Sequence, residues 1–272
     1  MLRAKKSLGQ NFLVDEGVIE RIVRAVAPRV GETIVEIGPG RGALTARLVE
    51  KAERLVAVEY DRELVPLLRE RFGKRENFEL VEGDALAVDL CGLITPATRA
   101  RVVANLPYYI STAILQRLIE QRRCLTEMVL MLQSEVVERI IAPPGGSERG
   151  FLSVLVEAYC EAEKLFDVGP GAFRPVPKVT STVVRLNVRS QIAAPVDDEA
   201  LLWRIVSAGF AQRRKTIFNN LRAAAGELSL RIEQSGGTKE LLMAASVEPQ
   251  RRAETLSLEE WARLANAMEG KR

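Results

Sequence analysis

The chain of 272 residues is 47% hydrophobic and 28% charged, which is the composition of an ordinary globular protein that can bury a core. Its 39 basic and 36 acidic residues give a net charge of +3, so any nucleic-acid contact must depend on local clusters. The sequence contains no histidine, which excludes histidine-based triads, histidine metal sites and imidazole acid–base catalysis.

The three cysteines, Cys91, Cys124 and Cys160, are widely spaced and include no Cys-x-x-Cys pair. This spacing predicts reduced thiols, with neither a disulfide framework nor a zinc site. No apolar run reaches the ~18 residues of a membrane span, and the basic start up to Lys6 lacks the apolar segment of a secretory signal. We therefore expect a cytoplasmic, monomeric protein that contacts no membrane and holds no metal.

Strand and helix patterns alternate through the first 140 residues. This alternation predicts a parallel sheet that is covered by helices on both faces. The predicted elements, in chain order, are a helix from Asp15, a strand over Thr33–Ile37, a helix to Lys51, a strand over Leu55–Val58 ending at Glu59, a helix over Arg62–Phe72, a strand over Phe78–Glu82, a strand ending at Asn105, a helix from Ser111 or Thr112, a strand over Glu127–Leu132 and a helix capped by Ser134.

The regular alternation of strand and helix patterns ends after residue 160. Strand patterns over Lys164–Val168 and Thr182–Val188 are separated by a proline-rich loop without a helix, which predicts an antiparallel hairpin at the sheet edge. A linker-like stretch follows, and then helices are predicted from Asp198, around 221–225 and from the capping box at Ser257. We predict a sheet domain over residues 1–190 and a small all-helical C-terminal domain over residues 191–272.

Several residues that can bind a ligand fall at the ends of the predicted strands. In an open α/β sheet, ligands bind beyond the carboxyl ends of the strands, where the strand order reverses. The glycines of Gly38-x-Gly40-x-Gly42 allow a ligand to approach the backbone closely, and an acid about 20 residues further on suits the two hydroxyls of a ribose. The residues at or near these ends are Glu36, Gly38, Glu59, Asp84 and Asn105.

The glycine spacing helps to identify the ligand. G-x-G-x-G lacks the pyrophosphate seat of G-x-G-x-x-G, and Glu36 would repel a pyrophosphate but tolerate a cation. S-adenosylmethionine carries a ribose, an adenine, an ammonium and a sulfonium but no phosphate, so it fits better than a nicotinamide dinucleotide. Asp84 could accept a hydrogen bond from the adenine amine, or it could be a turn residue that bonds its own backbone.

The stretch Asn105-Leu106-Pro107-Tyr108 predicts a site for the exocyclic amine of a planar base. The Asn105 side-chain oxygen and the Leu106 carbonyl, which Pro107 helps to hold in an extended geometry, offer two acceptors. Tyr108 and Phe173 are candidates for sandwiching a base that has left its stack. The alternative for Phe173 is a loop anchor that packs on the sheet.

These motifs carry a resemblance. Gln10-Asn11-Phe12-Leu13, the turn from Glu36 to Gly42, Glu59, Gly83-Asp84-Ala85, Asn105–Tyr108 and Phe173-x-Pro175-x-Pro177-Lys178-Val179 occur in the order found in the ribosomal RNA adenine dimethyltransferases. The chain resembles that family over nearly its whole length. Its tail, with Phe210-x-x-Arg213-Arg214-Lys215-Thr216, is similar to the small-subunit branch rather than to the antibiotic-resistance branch.

The resemblance implies a Rossmann-like S-adenosylmethionine-dependent methyltransferase sheet. It also implies transfer of four methyl groups to two adjacent adenosines in a hairpin loop of small-subunit rRNA, within a pre-ribosomal particle. The cofactor contacts that it implies are Asn11, Leu13, Gly38, Glu59, Asp84 and Asn105.

RNA contacts are expected from two basic clusters, on the strength of the resemblance. These clusters are Arg213-Arg214-Lys215 and Lys5-Lys6, and the alternative for such a charge run is a solvated helix face. Other functions remain open at this point: the same chemistry on large-subunit rRNA or DNA adenine, an assembly factor whose binding matters more than its catalysis, or a dehydrogenase. The intact Asn105–Tyr108 motif favours an active methyltransferase.

Overall fold

The structure is a computed structural model that describes residues 4–5 and 8–269. The strands are β1 (Phe12–Leu13), β2 (Thr33–Ile37), β3 (Arg54–Glu59), β4 (Phe78–Glu82), β5 (Ala100–Asn105), β6 (Leu125–Gln133), β7 (Cys160–Val168), β8 (Phe173–Arg174) and β9 (Ser181–Val188). The helices are α1 (Glu16–Val26), α2 (Thr45–Leu48), α3 (Leu64–Phe72), α4 (Leu90–Leu93), α5 (Ser111–Glu120), α6 (Ser134–Ile140), α7 (Phe151–Tyr159), α8 (Glu199–Gly209), α9 (Ile217–Arg222), α10 (Glu227–Gln234), α11 (Thr238–Ala244) and α12 (Leu258–Glu269).

The main sheet has the strand order β4-β3-β2-β5-β6-β9-β7. Strands β2 to β6 pair in parallel, whereas β9 is antiparallel to β6. The predicted parallel sheet is confirmed, and β9 and β7 close one edge of it as expected. The strand order reverses between β2 and β5, which places a crevice beyond the carboxyl ends of these two strands.

The helices begin where the sequence places their caps. The Asp15 side chain accepts a hydrogen bond from the N–H of Val18, and the Asp198 side chain accepts one from the N–H of Leu201. Ser257 exchanges the two bonds of a capping box with Glu260. The predicted starts of α1, α8 and α12 are therefore confirmed, while α2 and α9 end earlier than predicted.

A second, two-stranded sheet joins the start of the chain to the loop before β9. Phe12 lies opposite Arg174 and Leu13 lies opposite Phe173 in an antiparallel pair. Strands of two residues are too short to show a periodicity, so no pattern in the sequence indicates this pairing. It fastens the segment before α1 onto the sheet unit.

The chain forms two compact units. The first contains the sheet and extends to residue 137 and over 161–188, and the second is helical and contains 138–160 with 189–269. Within the second unit, the Trp203 ring lies 5.5 Å from the Tyr159 ring and its Nε1 donates to the Tyr159 hydroxyl at 2.8 Å. The domain boundary at residue 190 stays a prediction; these units differ from it by grouping 138–160 with the helical tail.

One expectation about the cysteines is wrong. Cys91 and Cys124 form a disulfide with their Cα atoms 5.5 Å apart, while Cys160 is a buried thiol. The Gln121 side chain accepts a hydrogen bond from the N–H of Leu90 at 2.7 Å, which places α4 beside the turn that carries Cys124. The two cysteines are 33 residues apart, and only this tertiary packing brings them within bonding reach.

The described residues include no group of three or more His, Cys, Asp or Glu side chains arranged to hold a metal ion. In the same part of the chain, no helix has the length and apolarity needed to cross a membrane.

Candidate active site

A cavity of about 280 Å³ lies at the carboxyl ends of β2, β3, β4 and β5. Its lining also includes residues 8–13, which precede α1. All the predicted cofactor and acceptor residues except Phe173 line it, namely Asn11, Leu13, Gly38, Glu59, Asp84, Asn105, Leu106, Pro107 and Tyr108.

Two glycines in the turn after β2 have different structural roles. Gly38 and Gly42 both have a left-handed backbone, with φ of +68° and +79°. A Cβ on Gly38 would meet no atom within 4 Å, whereas a Cβ on Gly42 would lie 2.5 Å from Cε2 of Phe72 on α3. Gly38 therefore leaves room in the cavity lining for a ligand, and Gly42 allows the turn to pack against a helix.

Glu59 ends β3 with its carboxylate held in place by the backbone. Oε2 accepts a hydrogen bond from the N–H of Gly40 at 3.0 Å, and Oε1 accepts one from the N–H of Asp61 at 2.7 Å. Burial raises the pKa of Glu59, and these backbone hydrogen bonds oppose that rise. A carboxylate has about four acceptor positions, so the buried group is oriented and can still accept hydroxyl groups of a ligand.

Glu36 is buried near the carboxyl end of β2, and it lines the cavity. The hydroxyl of Thr45 donates to its Oε2 at 2.7 Å, and burial raises the pKa of Glu36 to about 8. Near neutral pH the isolated carboxyl is therefore mostly protonated. The repulsion of pyrophosphate that we predicted for Glu36 is thus weaker than expected, while a nearby cation would favour the charged form.

The pKa of Glu36 predicts a pH-dependent stability. Between pH 4.5 and about 8 the folded protein binds a proton at Glu36 that the unfolded chain releases, so the free energy of unfolding falls as the pH rises through this window. Glu36→Gln should remove this loss, which we expect to be on the order of a few kcal/mol. Urea unfolding at several pH values in this window measures it, with the exposed Glu50→Gln as the control that keeps the wild-type slope. Identical slopes for wild type and Glu36→Gln would contradict the prediction.

Asn105 ends β5 and lines the cavity. Its Nδ2 donates to the backbone carbonyl of Asn11 at 3.3 Å, so the donor end of the amide faces residues 8–13. The N–H of Leu106 donates to the carbonyl of Met131 at 3.2 Å, which continues the pairing with β6 by one residue. Asn105 and Leu106, whose oxygens the sequence predicts as the two acceptors, are therefore consecutive residues in the cavity lining.

The two predicted aromatic contacts differ in the structure. Tyr108 lines the cavity, and its hydroxyl forms a 2.7 Å hydrogen bond with the hydroxyl of Ser181 on β9. Burial raises the pKa of Tyr108, so the group is neutral at physiological pH. Phe173 is fully buried in the core, beside Leu13, and offers no face to a base. Its burial agrees with the alternative of a loop anchor, because the β1–β8 pairing draws it inward.

Asp84 makes the hydrogen bond of a turn residue, and its contact with adenine stays a prediction. Its Oδ1 accepts a hydrogen bond from the N–H of Leu86 at 2.9 Å, as a turn residue would. The same residue lines the cavity, and a carboxylate can accept further hydrogen bonds through its second oxygen.

The predicted RNA contacts also differ from one another. Arg213, Arg214 and Lys215 are exposed in the turn between α8 and α9 rather than on a helix face, and Arg213 donates to the carbonyl of Ser147. Lys5 forms ion pairs with Asp61 at 2.6 Å and Glu63 at 3.1 Å, an arrangement the sequence did not suggest. Lys6 lies outside the described residues.

The strand order and the cavity at its switch point are those of the S-adenosylmethionine-dependent methyltransferase fold. The fold matches that of a dimethyladenosine transferase from Plasmodium falciparum, with a TM-score of 0.78 and 23% identity over 96% of this chain and 98% of that one. The 23S rRNA methyltransferase ErmE matches with a TM-score of 0.68 and 27% identity over 95% of this chain and 100% of that one.

The chain belongs to the ribosomal RNA adenine dimethylase family, whose sequence profile matches residues 1–264. The ribosomal RNA small subunit methyltransferase A of Pseudomonas aeruginosa is 46% identical over 266 residues, which cover 98% of this chain and 95% of that protein. The predicted fold and family are confirmed, and the dehydrogenase alternative is set aside. The protein is an rRNA adenine dimethyltransferase that uses S-adenosylmethionine.

Substitutions at Gly38 and Gly42 test the different roles of these two glycines. Gly38→Ala and Gly42→Ala should each lose about 1–2 kcal/mol of stability from the left-handed backbone. Gly42→Ala should lose about 1–3 kcal/mol more because its Cβ overlaps Phe72. Gly38→Ala should instead weaken cofactor binding, since its Cβ projects where a ligand would lie. Chemical denaturation and titration with S-adenosylhomocysteine measure the two effects, and equal stability losses would contradict the assignment.

Proposed function

We propose that this protein transfers methyl groups to N6 of two adjacent adenosines in a hairpin loop of small-subunit rRNA, giving dimethyladenosines in a pre-ribosomal particle. The observation that supports the proposal is the hydrogen bond from the Asn105 NH₂ group to the carbonyl of Asn11. We propose that the oxygen at the other end of this amide accepts from the adenosine amine. Family membership and the 46% identity to a small-subunit methyltransferase support the choice of RNA.

The residues of the cavity fit S-adenosylmethionine. Gly38 leaves open space, Glu59 is an oriented acceptor for the ribose hydroxyls, and Asp84 keeps an oxygen for the adenine amine. Asn11 and Leu13 would contact the cofactor from the other side. When bound, the cofactor supplies an electrophilic methyl group on a positively charged sulfur. We propose no metal in this site.

The acceptor pair would activate the adenosine. The exocyclic amine of adenine is a poor nucleophile because its lone pair is delocalised into the ring. The Asn105 oxygen and the Leu106 carbonyl accept its two N–H groups and favour a pyramidal nitrogen, a preference that is largest in the transition state. Holding the amine in line with the methyl carbon contributes further, since positioning of this kind is worth several kcal/mol.

The remaining steps need no strong base. Methylation makes the amine cationic and strongly acidic, so water can take its proton, which is consistent with a chain that has no histidine. The second methylation leaves one acceptor without its N–H. A neutral asparagine should tolerate this better than a carboxylate, because an unpaired buried charge costs more.

Tyr108 would hold the target base after it leaves its stack. Its ring lines the cavity, and the bond to Ser181 fixes the far end of the side chain. Extruding an adenosine costs a few kcal/mol, and stacking on an aromatic ring recovers part of this cost. We leave Phe173 out of this scheme because its ring is buried.

The exposed turn between α8 and α9 would contact RNA phosphates. Charge reversal of Arg213, Arg214 and Lys215 should raise the KM for RNA and lower the salt dependence of binding, by roughly 0.7–0.9 in log–log slope for each phosphate that is no longer neutralised. Binding measured over a series of salt concentrations checks this, with charge reversal of the exposed Lys74 and Arg75 as the control. An unchanged slope in the first variant would remove the turn from the proposed interface.

The proposed function is tested by methyl transfer from labelled S-adenosylmethionine to unmethylated small-subunit particles, large-subunit rRNA and DNA. We expect incorporation into the small-subunit particles, with mapping that places dimethyladenosine at two adjacent positions. Methylation of only the other two substrates, or of none, would overturn the proposal.

A further inference from the structure

Residues 8–13, which we call the strap, line the cavity and contact both of its halves. On the acceptor side, the carbonyl of Asn11 accepts the hydrogen bond from Asn105 Nδ2 at 3.3 Å. On the cofactor side, the ring of Phe12 lies 4.4 Å from the Arg41 guanidinium in the glycine turn. The strap therefore holds the NH₂ end of the Asn105 amide at the Asn11 carbonyl.

The strap is anchored by a carboxylate that the proposed chemistry does not use. Asp61 is 5% exposed, and its two oxygens accept hydrogen bonds from Lys5 Nζ at 2.6 Å and from Gln10 Nε2 at 2.7 Å. Gln10 in turn accepts from the N–H of Lys5 at 2.8 Å. Burial alone would raise the pKa of Asp61, but the bonds from Lys5 and Gln10 outweigh burial and lower it, so the anchor is charged at neutral pH.

The other end of the strap has its own attachment. Phe12 and Leu13 pair with β8, and the N–H of Val14 donates to the carbonyl of Ala172 at 2.9 Å. Asn11 lies between this pairing and Gln10, so its carbonyl is fixed from both sides. Without the Asp61 anchor, only one of these two attachments remains.

We infer that Asp61 is a positioning residue for methyl transfer, which acts through the strap on Asn105. Asp61 holds Gln10, and the strap then places the Asn11 carbonyl where it binds the NH₂ group of Asn105. Release of the anchor lets the amide turn over, which replaces the acceptor facing the adenosine amine by a donor. This inference rests on the proposed role of Asn105.

The experiment compares three variants at saturating S-adenosylmethionine. Asp61→Ala removes both anchoring bonds and should lower kcat by about 10- to 100-fold, the effect expected of a misplaced acceptor. Asp61→Asn keeps an oxygen for Gln10 and should restore part of kcat. Glu63→Gln is the matched control and should keep wild-type kcat, since Glu63 pairs with Lys5 at 3.1 Å and has no bond to the strap among the described residues.

The split between kcat and KM separates this role from simple support of the cofactor site. If Asp61→Ala raises only the KM for S-adenosylmethionine and reaches wild-type kcat at saturation, the inference is overturned. Hydrogen exchange gives a readout that is independent of activity: the amides of Leu8 and Gln10 should lose protection in Asp61→Ala and keep it in Glu63→Gln. Unchanged protection in Asp61→Ala also overturns it.

These two measurements distinguish failure of the inference from failure of the proposed function. A wild-type protein that methylates no small-subunit RNA refutes the proposed function, and the exchange data still decide whether Asp61 anchors the strap. An active wild type with a fully active Asp61→Ala variant refutes only the positioning role.

Discussion

Asn105→Ala is expected to lower kcat for methyl transfer by about 10²- to 10³-fold, the loss typical of removing one preorganised hydrogen-bonding group from a reaction centre. The substitution removes one of the two acceptors that favour the pyramidal amine. It also leaves the Asn11 carbonyl without the amide that it binds at 3.3 Å. Single-turnover transfer to unmethylated small-subunit particles, at saturating S-adenosylmethionine, measures the effect on chemistry apart from cofactor binding.

Two further variants sharpen the Asn105 test. Asn187→Ala removes an exposed asparagine from β9 and should leave kcat unchanged. Asn105→Asp retains an acceptor but should accumulate monomethyladenosine, because the second round leaves a buried carboxylate unpaired at an extra cost of about 1–3 kcal/mol. Near-normal turnover of Asn105→Ala would refute the acceptor scheme, and a normal product ratio from Asn105→Asp would refute the argument about the second round.

Tyr108→Ala should lower kcat/KM by about 5- to 150-fold, since stacking on an aromatic ring is worth about 1–3 kcal/mol per base. Tyr108→Phe keeps the ring and loses only the 2.7 Å hydrogen bond to Ser181. That bond is worth roughly 0.5–1.5 kcal/mol, so Tyr108→Phe should retain most of the activity. Steady-state kinetics with small-subunit particles distinguishes the two variants.

Ser181→Ala is the matched control for the Tyr108 series, because it removes the same hydrogen bond from the other side. Ser181→Ala and Tyr108→Phe should therefore behave alike. If Tyr108→Phe is as impaired as Tyr108→Ala, the hydroxyl rather than the ring face is the important group, and the stacking role is wrong.

Glu36 and Asp61 are both buried beside one cavity, but their different hydrogen-bond donors leave their pKa values shifted in opposite directions. Burial raises the pKa of Glu36 to about 8, although the Thr45 hydroxyl donates to its carboxylate. Asp61 has the Lys5 ammonium and the Gln10 amide as donors, and its pKa falls despite burial. Glu36 should therefore ionise when a cation enters the cavity, whereas Asp61 stays charged and holds the strap.

The sequence alone placed the candidate site because its signals are local. Apolar runs identify β2, β3 and β5, and the residues that end these strands must meet at one edge of a parallel sheet. This reasoning brought Gly38, Glu59 and Asn105 to one cavity, where the structure has them. The capping residues of α1, α8 and α12 were equally readable, since a cap depends on residues three positions apart.

Only the tertiary structure decided the features that depend on contacts between residues distant in sequence. The Cys91–Cys124 disulfide, the burial of Phe173 against Leu13 and the capture of Lys5 by Asp61 all join segments that no local pattern relates. The same holds for charge: Glu36 and Asp61 are both acids beside one cavity, and only their buried partners set their pKa values apart. Periodicity and residue spacing describe only residues that are close in sequence. The desolvation and pairing of charged groups depend instead on which residues the folded interior brings together.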